Sequence, residues 1–177
     1  MNVRNAALKP VLNAEVIQRR LDELAHEISA AYMGKPLVVI CVLKGAFMFF
    51  TDLVKRLTCC PEIDFVRLSS YGAGTVHKEI VFSKDVEIPL RGKHVLVIED
   101  MVDTGRSMEF LLKQLESRGA LSLKLAVFID KSERREVFVH PDFVAFSLPR
   151  GFLVGYGLDY AEQYRELPAV YEATILE

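Results

Sequence analysis

Val95-Leu-Val-Ile-Glu-Asp-Met-Val-Asp-Thr-Gly-Arg-Ser-Met108 is the stretch from which the rest of the chain can be read. The apolar run Val95 to Ile98 predicts a buried parallel strand, ended by the adjacent carboxylates Glu99 and Asp100. Asp103 follows, and the turn Thr104-Gly105-Arg106-Ser107 opens into a helix predicted over Met108 to Arg118. A strand feeding a glycine-containing turn at a helix N-terminus builds a cradle for phosphate, because unpaired N–H groups and the helix dipole both face the anion. Carboxylates beside such a cradle cannot attract phosphate by charge. They make sense if they hold ribose hydroxyls, a Mg²⁺ ion or a proton. A helix cap would need one Asp, not three carboxylates in five residues. Phosphate, ribose and metal together imply a sugar-phosphate substrate.

Working outward, strands and helices alternate. Asn13 is an N-cap for a helix carrying Ile17, Leu21, Leu24 and Ile28 at helical spacing, ended by Gly34. Leu37 to Leu43 predicts a central parallel strand, Lys44-Gly45 a turn, and Ala46 to Leu57 the next helix. Strands are predicted over Ile63 to Ser69 and near Ile80 to Ser83, with Ser70 to Lys78 a mobile loop between them. Pro89-Leu-Arg-Gly92 makes a turn, and Gly119 ends the helix of the central motif. Leu123 to Ile129, Phe143 to Leu148 and Ala169 to Leu176 complete the strands. Such alternation predicts an α/β fold: a mostly parallel sheet with helices on both faces and ligands at the carboxyl ends of the strands. Lys44, Ser70, Glu99 and Lys131 are therefore expected on one shared rim.

Composition sets the bounds. A chain of 177 residues suits one domain, 1–177, with a single core. A net charge of −2 supports no nucleic-acid surface; the nearest basic cluster, Lys131 to Arg135, is diluted by Glu133 and Glu136. The longest apolar stretch, Leu37 to Phe50, is broken by Lys44 and Gly45, so no membrane partner is expected. Without a leader-like N-terminus or Cys/His metal spacing, Cys41, Cys59 and Cys60 read as free thiols of a cytoplasmic protein. His26 and His140 sit in no metal spacing, and all four histidines read as bystanders.

The motif Glu99-Asp100-x-x-Asp103-Thr104-Gly105-x-Ser107, preceded by its apolar strand, resembles the phosphoribosyl-pyrophosphate (PRPP) signature of the type I phosphoribosyltransferases. Four further stretches resemble the hypoxanthine-guanine branch of that family, in the same order: Leu43-Lys44-Gly45, Ser70-Tyr71-Gly72, Asp130-Lys131, and Phe152 to Arg165. The resemblance implies a mostly parallel twisted sheet with a core over roughly 35–140 and a small hood from the N- and C-terminal segments.

It also implies roles. Lys44 and Gly45 would meet pyrophosphate after a cis Leu43–Lys44 bond. Ser70 and Tyr71 would belong to a loop closing over the site, which excludes water from an activated anomeric carbon. Glu99 and Asp100 would hold ribose hydroxyls and, through water, a metal. Thr104, Gly105 and Ser107 would fix the 5′-phosphate. Arg106 occupies the motif's variable position, facing solvent or aiding the phosphate. Asp103 would be the catalytic base or proton holder at purine N7. Lys131, the second catalytic residue, would donate to the purine O6, since an ammonium selects a carbonyl over an amino group. Phe152 would stack on the base and Leu153 would read its edge. Asp159, counted also among the purine-binding residues, would hold a second Mg²⁺ on the pyrophosphate, largely through water, and Arg165 would clamp that pyrophosphate. The metal set is then Glu99, Asp100 and Asp159, and the cofactor Mg²⁺.

The expected reaction is pentosyl transfer in purine salvage: PRPP with hypoxanthine or guanine gives IMP or GMP and pyrophosphate, in a homodimer or homotetramer. Two other readings stand beside it, a xanthine-preferring enzyme and a PRPP-sensing regulator without catalysis. An intact Asp103 favours an enzyme, and the absence of a basic face disfavours an RNA-binding attenuator.

Overall fold

In a computed structural model, which describes residues 6–71 and 79–175, the chain runs β1 (Ala6–Leu12), α1 (Ala14–Tyr32), β2 (Leu37–Leu43), α2 (Phe47–Val54), β3 (Glu62–Tyr71), β4 (Glu79–Lys84), β5 (His94–Val102), α3 (Arg106–Glu116), β6 (Ser122–Asp130), β7 (Phe143–Ser147), β8 (Leu153–Val154) and β9 (Val170–Ile175). Six strands form one sheet in the order β4-β3-β2-β5-β6-β7. All neighbours pair in parallel except the edge strand β4, which returns antiparallel from β3.

Period two sorts the central strands between two cores. Val39 and Cys41 of β2, Leu96 and Ile98 of β5, and Phe128 of β6 pack with Ile17, Leu21, Leu24 and Ile28 of α1 and Phe49 and Leu53 of α2. Val38, Ile40 and Val42, then Val95 and Val97, and Leu125 and Val127 pack with Met108, Leu111 and Leu115 of α3. These strands are buried on both faces, which is why they read as unbroken apolar runs. α1 begins as expected: Asn13 is extended and its Oδ1 accepts from the Val16 N–H at 2.8 Å.

The chain winds to β3 on one side of β2 and later to β5 on the other. The crevice between the carboxyl ends of β2 and β5 is thus the topological switch point, where such sheets bind ligands.

Several boundaries differ from expectation. β5 does not end at Ile98 but runs through both carboxylates to Val102, held by ladder partners on β6 from Glu99↔Val127 to Val102↔Asp130. Ser70 and Tyr71 lie at the end of β3, opposite Ile80 and Glu79, and not in a loop. Residues 72–78, the rest of the expected loop, lie outside the described residues. α2 stops at Val54, short of Leu57. The last strand, β9, agrees with the expected hood from the terminal segments: it pairs antiparallel with β1 and β8 in a second, three-stranded sheet. That sheet packs back on the first core through Leu153 and Val170.

One buried acid frames the edge of the main sheet. Asp64 of β3, 5% exposed, accepts main-chain N–H groups from Glu87 at 2.7 Å, Ile88 at 2.9 Å and Phe65 at 2.7 Å. Burial pushes its carboxyl up, but these donors and Lys84 outweigh it and hold the group below its ordinary 3.8. A carboxyl whose pKa is depressed on folding stabilises above its unfolded pKa of about 4, and that stabilisation is lost as pH falls. Asp64→Asn is expected to lower the unfolding free energy by about 1–3 kcal/mol at pH 7. In urea melts the gap to wild type should shrink towards pH 3; a gap constant with pH would refute the account.

Candidate active site

Because β5 continues through Glu99 and Asp100, alternation sends the two acids to opposite faces of the sheet. Glu99 lies on the α3 face and is buried. Together with Asp103, Thr104, Gly105 and Ser107 it lines a cavity of about 140 Å³. Burial and the neighbouring Asp100 charge push its carboxyl well above the ordinary carboxylate range. Asp100 lines a second cavity of about 160 Å³ with Asp103, Lys131, Arg134, Phe152, Leu153 and Asp159. Asp103 belongs to both cavities, and among their linings it is the ionisable group they share.

The turn after β5 is shaped by Gly105, whose φ of +87° places it in the left-handed region as the residue before α3. A side chain there would also meet the Val137 carbonyl at 2.5 Å. Gly105 has no side chain to cap this helix; the Arg106 N–H meets Thr104 Oγ1 at 3.5 Å, and the N–H groups that follow it are the ones offered to an anion. Asp103 Oδ1 is buried with no hydrogen-bond partner among the described residues, and Arg134 Nη1 stands 3.4 Å from Oδ2. A buried carboxylate oxygen without a partner, on a residue that lines both cavities, makes Asp103 a candidate functional acid. Arg106 turns outward and pairs with Glu136 at 2.5 Å.

Opposite this turn, the Leu43–Lys44 peptide is cis. Gly45 lets the two loops interlock: a Cβ there would stand 1.7 Å from Asp100 Oδ2. Gly157, at φ +98°, approaches the Gly45 carbonyl so closely that a Cβ would lie 2.1 Å from it. Tyr156 braces this arrangement from behind by donating to Asp52 Oδ2 of α2 at 2.8 Å.

The segment from Phe152 to Arg165 forms the remaining wall. Phe152 is 45% exposed and meets Tyr160 edge-on with ring centroids 5.6 Å apart, leaving a face free for stacking. Leu153, on β8, and Lys131, after β6, are both buried at the cavity. Arg165 donates to the Gly157 carbonyl at 2.8 Å and pairs with Asp159 at 2.9 Å. A residue that sequence reading did not single out, Glu162, joins them. Its Oε2 lies 2.9 Å from Lys44 Nζ and 3.3 Å from Arg165 Nη2. Lys44 first and Arg165 second hold its carboxyl below the ordinary range. Ala161, Glu162 and Tyr164 all have positive φ (50°, 65° and 74°), a costly backbone that carries this carboxylate to both cations.

The structure thus gathers Lys44, Gly45, Asp100, Asp103, Lys131, Phe152, Leu153, Asp159 and Arg165 on one rim. Of the expected metal residues, Asp100 and Asp159 line one cavity and Glu99 the other. Among the described residues no group of three or more His, Cys, Asp or Glu side chains is placed to hold a metal ion. Asp159 is engaged by Arg165 and by the Glu162 N–H at 2.8 Å. Glu162 carries no signal in the sequence, and Arg134 and Arg135 stand out there only as part of a basic cluster diluted by Glu133 and Glu136.

A mostly parallel sheet with an acid-flanked glycine turn at its switch point defines a class, and comparison agrees: residues 9–161 match the phosphoribosyl transferase domain model. The chain belongs to the phosphoribosyltransferase family. It is 43% identical to the hypoxanthine-guanine phosphoribosyltransferase of Aquifex aeolicus over 96% of both chains. It is 42% identical to a bifunctional TilS/HprT protein of Listeria innocua, of which it spans 26%. The crystal structure of a hypoxanthine phosphoribosyltransferase from Staphylococcus aureus superposes with a TM-score of 0.89 at 38% identity, covering 94% of this chain and 91% of that one.

Proposed function

We propose that this protein transfers 5-phosphoribose from PRPP to N9 of hypoxanthine or guanine, giving IMP or GMP and pyrophosphate. The observation that carries this reading is the shared position of Asp103, with a phosphate turn on one side and the Lys131–Phe152 wall on the other. A nucleoside monophosphate has that layout: phosphate at one end, base at the other and ribose between.

Charge supplies the mechanism. The bond from C1′ to the pyrophosphate oxygen breaks as N9 bonds to C1′, so the sugar passes through a cation-like state while the leaving group gains negative charge. Lys44 and Arg165 neutralise that charge once the phosphates displace the Glu162 carboxylate between them. Open N–H groups at the start of α3, with Thr104 and Ser107, hold the 5′-phosphate. Asp100 faces the ribose, and Glu99 supports the phosphate turn from beneath. Asp103 takes the proton that the purine sheds through N7. Lys131 donates to O6, and Phe152 stacks on the ring for about 1–3 kcal/mol.

Asp100 and Asp159 are the side chains that would hold Mg²⁺, largely through water. Carboxylate oxygens suit that hard ion, and an ion carried on substrate phosphates keeps its waters and needs no cage of three acids. When bound it supplies further neutralisation of the pyrophosphate. The same reading assigns the cytoplasm, where Cys41, Cys59 and Cys60 remain free thiols, and a homodimer or homotetramer.

Pyrophosphate release, measured with PRPP and each of hypoxanthine, guanine, xanthine and adenine, tests this. Turnover is expected with the first two and at least 100-fold less with adenine. Equal rates with adenine, or no release with any base, would overturn the reading.

A further inference from the structure

Arg135 makes more polar contacts than any other side chain near the site, and neither catalysis nor binding as argued above uses it. Its side chain is 17% exposed. Nε donates to the Asp103 carbonyl at 3.0 Å, and Nη1 to the Val139 carbonyl at 2.8 Å. Nη2 reaches the Val102 carbonyl at 3.0 Å, the Lys131 carbonyl at 3.0 Å and the Asp130 carboxylate at 2.5 Å. One planar cation therefore gathers main-chain oxygens from the ends of both β5 and β6. These carbonyls repel one another when brought together. A guanidinium, with five N–H donors in a fixed fork, answers several at once; an ammonium cannot.

The surrounding main chain follows the same plan. Lys131 N–H donates to the Val102 carbonyl at 3.1 Å, and the Glu136 and Val137 N–H groups both donate to the Thr104 carbonyl at 3.0 Å. The close approach of Val137 to Gly105 completes the contact. The 131–139 segment is thus the outer wall of the phosphate turn, and Arg135 is the pin between them.

We propose that Arg135 is a positioning residue that sets Lys131 relative to Asp103, so that selection of a 6-oxopurine depends on it. Asp103 and Lys131 stand just past the ends of adjacent strands and act on neighbouring positions, N7 and O6, of one edge of the purine. Their backbone carbonyls share this one guanidinium, so its loss frees the two groups to move apart. The inference rests on the function proposed above.

The test is kcat/KM for hypoxanthine over that for adenine, measured on the full chain as wild type, Arg135→Lys and Asp130→Asn. A ratio is independent of the amount of folded enzyme, so a purely structural role would leave it unmoved. Arg135→Lys is expected to lower the ratio at least tenfold and kcat for hypoxanthine about 30-fold, while the KM for PRPP changes less than threefold. Asp130→Asn, which removes one anchor and keeps the guanidinium, should lower the ratio about threefold and guards against a misfolded lysine variant. An unchanged ratio in Asp130→Asn, together with an unchanged ratio or no folded protein for Arg135→Lys, overturns the proposal. Wild-type enzyme without preference for hypoxanthine would instead sink the function on which it rests.

Discussion

Asp103→Asn is expected to lower kcat by about two to three orders of magnitude, the usual share of a positioned proton acceptor, while PRPP affinity changes no more than about threefold. The side chains have the same shape, so the turn and its N–H groups persist. Gly105 keeps its left-handed conformation, and Arg135 still meets the residue-103 carbonyl. What disappears is the ability of a carboxylate that lines both cavities to accept a proton. Turnover under saturating substrates, set beside PRPP binding measured by calorimetry, separates the two effects. Loss of binding equal to the loss of turnover would make Asp103 a phosphate-turn residue and not the base.

Gly45→Ala is expected to be nearly as damaging although it adds one methyl group to a residue with no catalytic atom. That methyl would stand 1.7 Å from Asp100 Oδ2 and 2.5 Å from its Cγ, so the carboxylate must swing away. It has little room to do so, because Gly157 already presses on the Gly45 carbonyl from the other side. Displacement by about 1 Å of a group that orients substrate commonly costs about 100-fold in rate, and kcat/KM for PRPP should fall by at least that much. A melting temperature several degrees lower should accompany it, as overpacking costs about 1–3 kcal/mol. The two consequences come apart in the Asp100→Ala background. There the stability cost of Gly45→Ala should vanish, since its cause is gone, while activity stays low. Activity within threefold of wild type in Gly45→Ala would show that Asp100 does not need this contact.

The central motif shows how far local sequence reaches. Val95 to Ile98 read as a strand and Gly105 as a turn because buried apolar runs and left-handed glycines are local consequences of side-chain shape. α1 was equally legible through Asn13 and its four apolar residues. The end of β5 was not. Two adjacent acids looked like the end of a strand, but ladder bonds to β6 carry the extended backbone two residues past them, to Val102. β1 also escaped notice: its pairing with β9 joins Ala6 to Ile175, and no pattern confined to seven residues reports a partner so distant.

The chain's own order of residues was enough to determine a mostly parallel α/β sheet, a glycine turn after its central strand, and the family to which both belong. The sheet and the turn follow from periodicity and backbone preference, which act between near neighbours, and the family from the resemblance of the chain's motifs. Which cavity each acid faces, that Glu162 lies between Lys44 and Arg165, and that Arg135 binds two strand ends together were decided only in three dimensions. Crossover connections bring residues more than a hundred positions apart into contact, and a side chain's partners then depend on register and twist rather than on its neighbours in the chain.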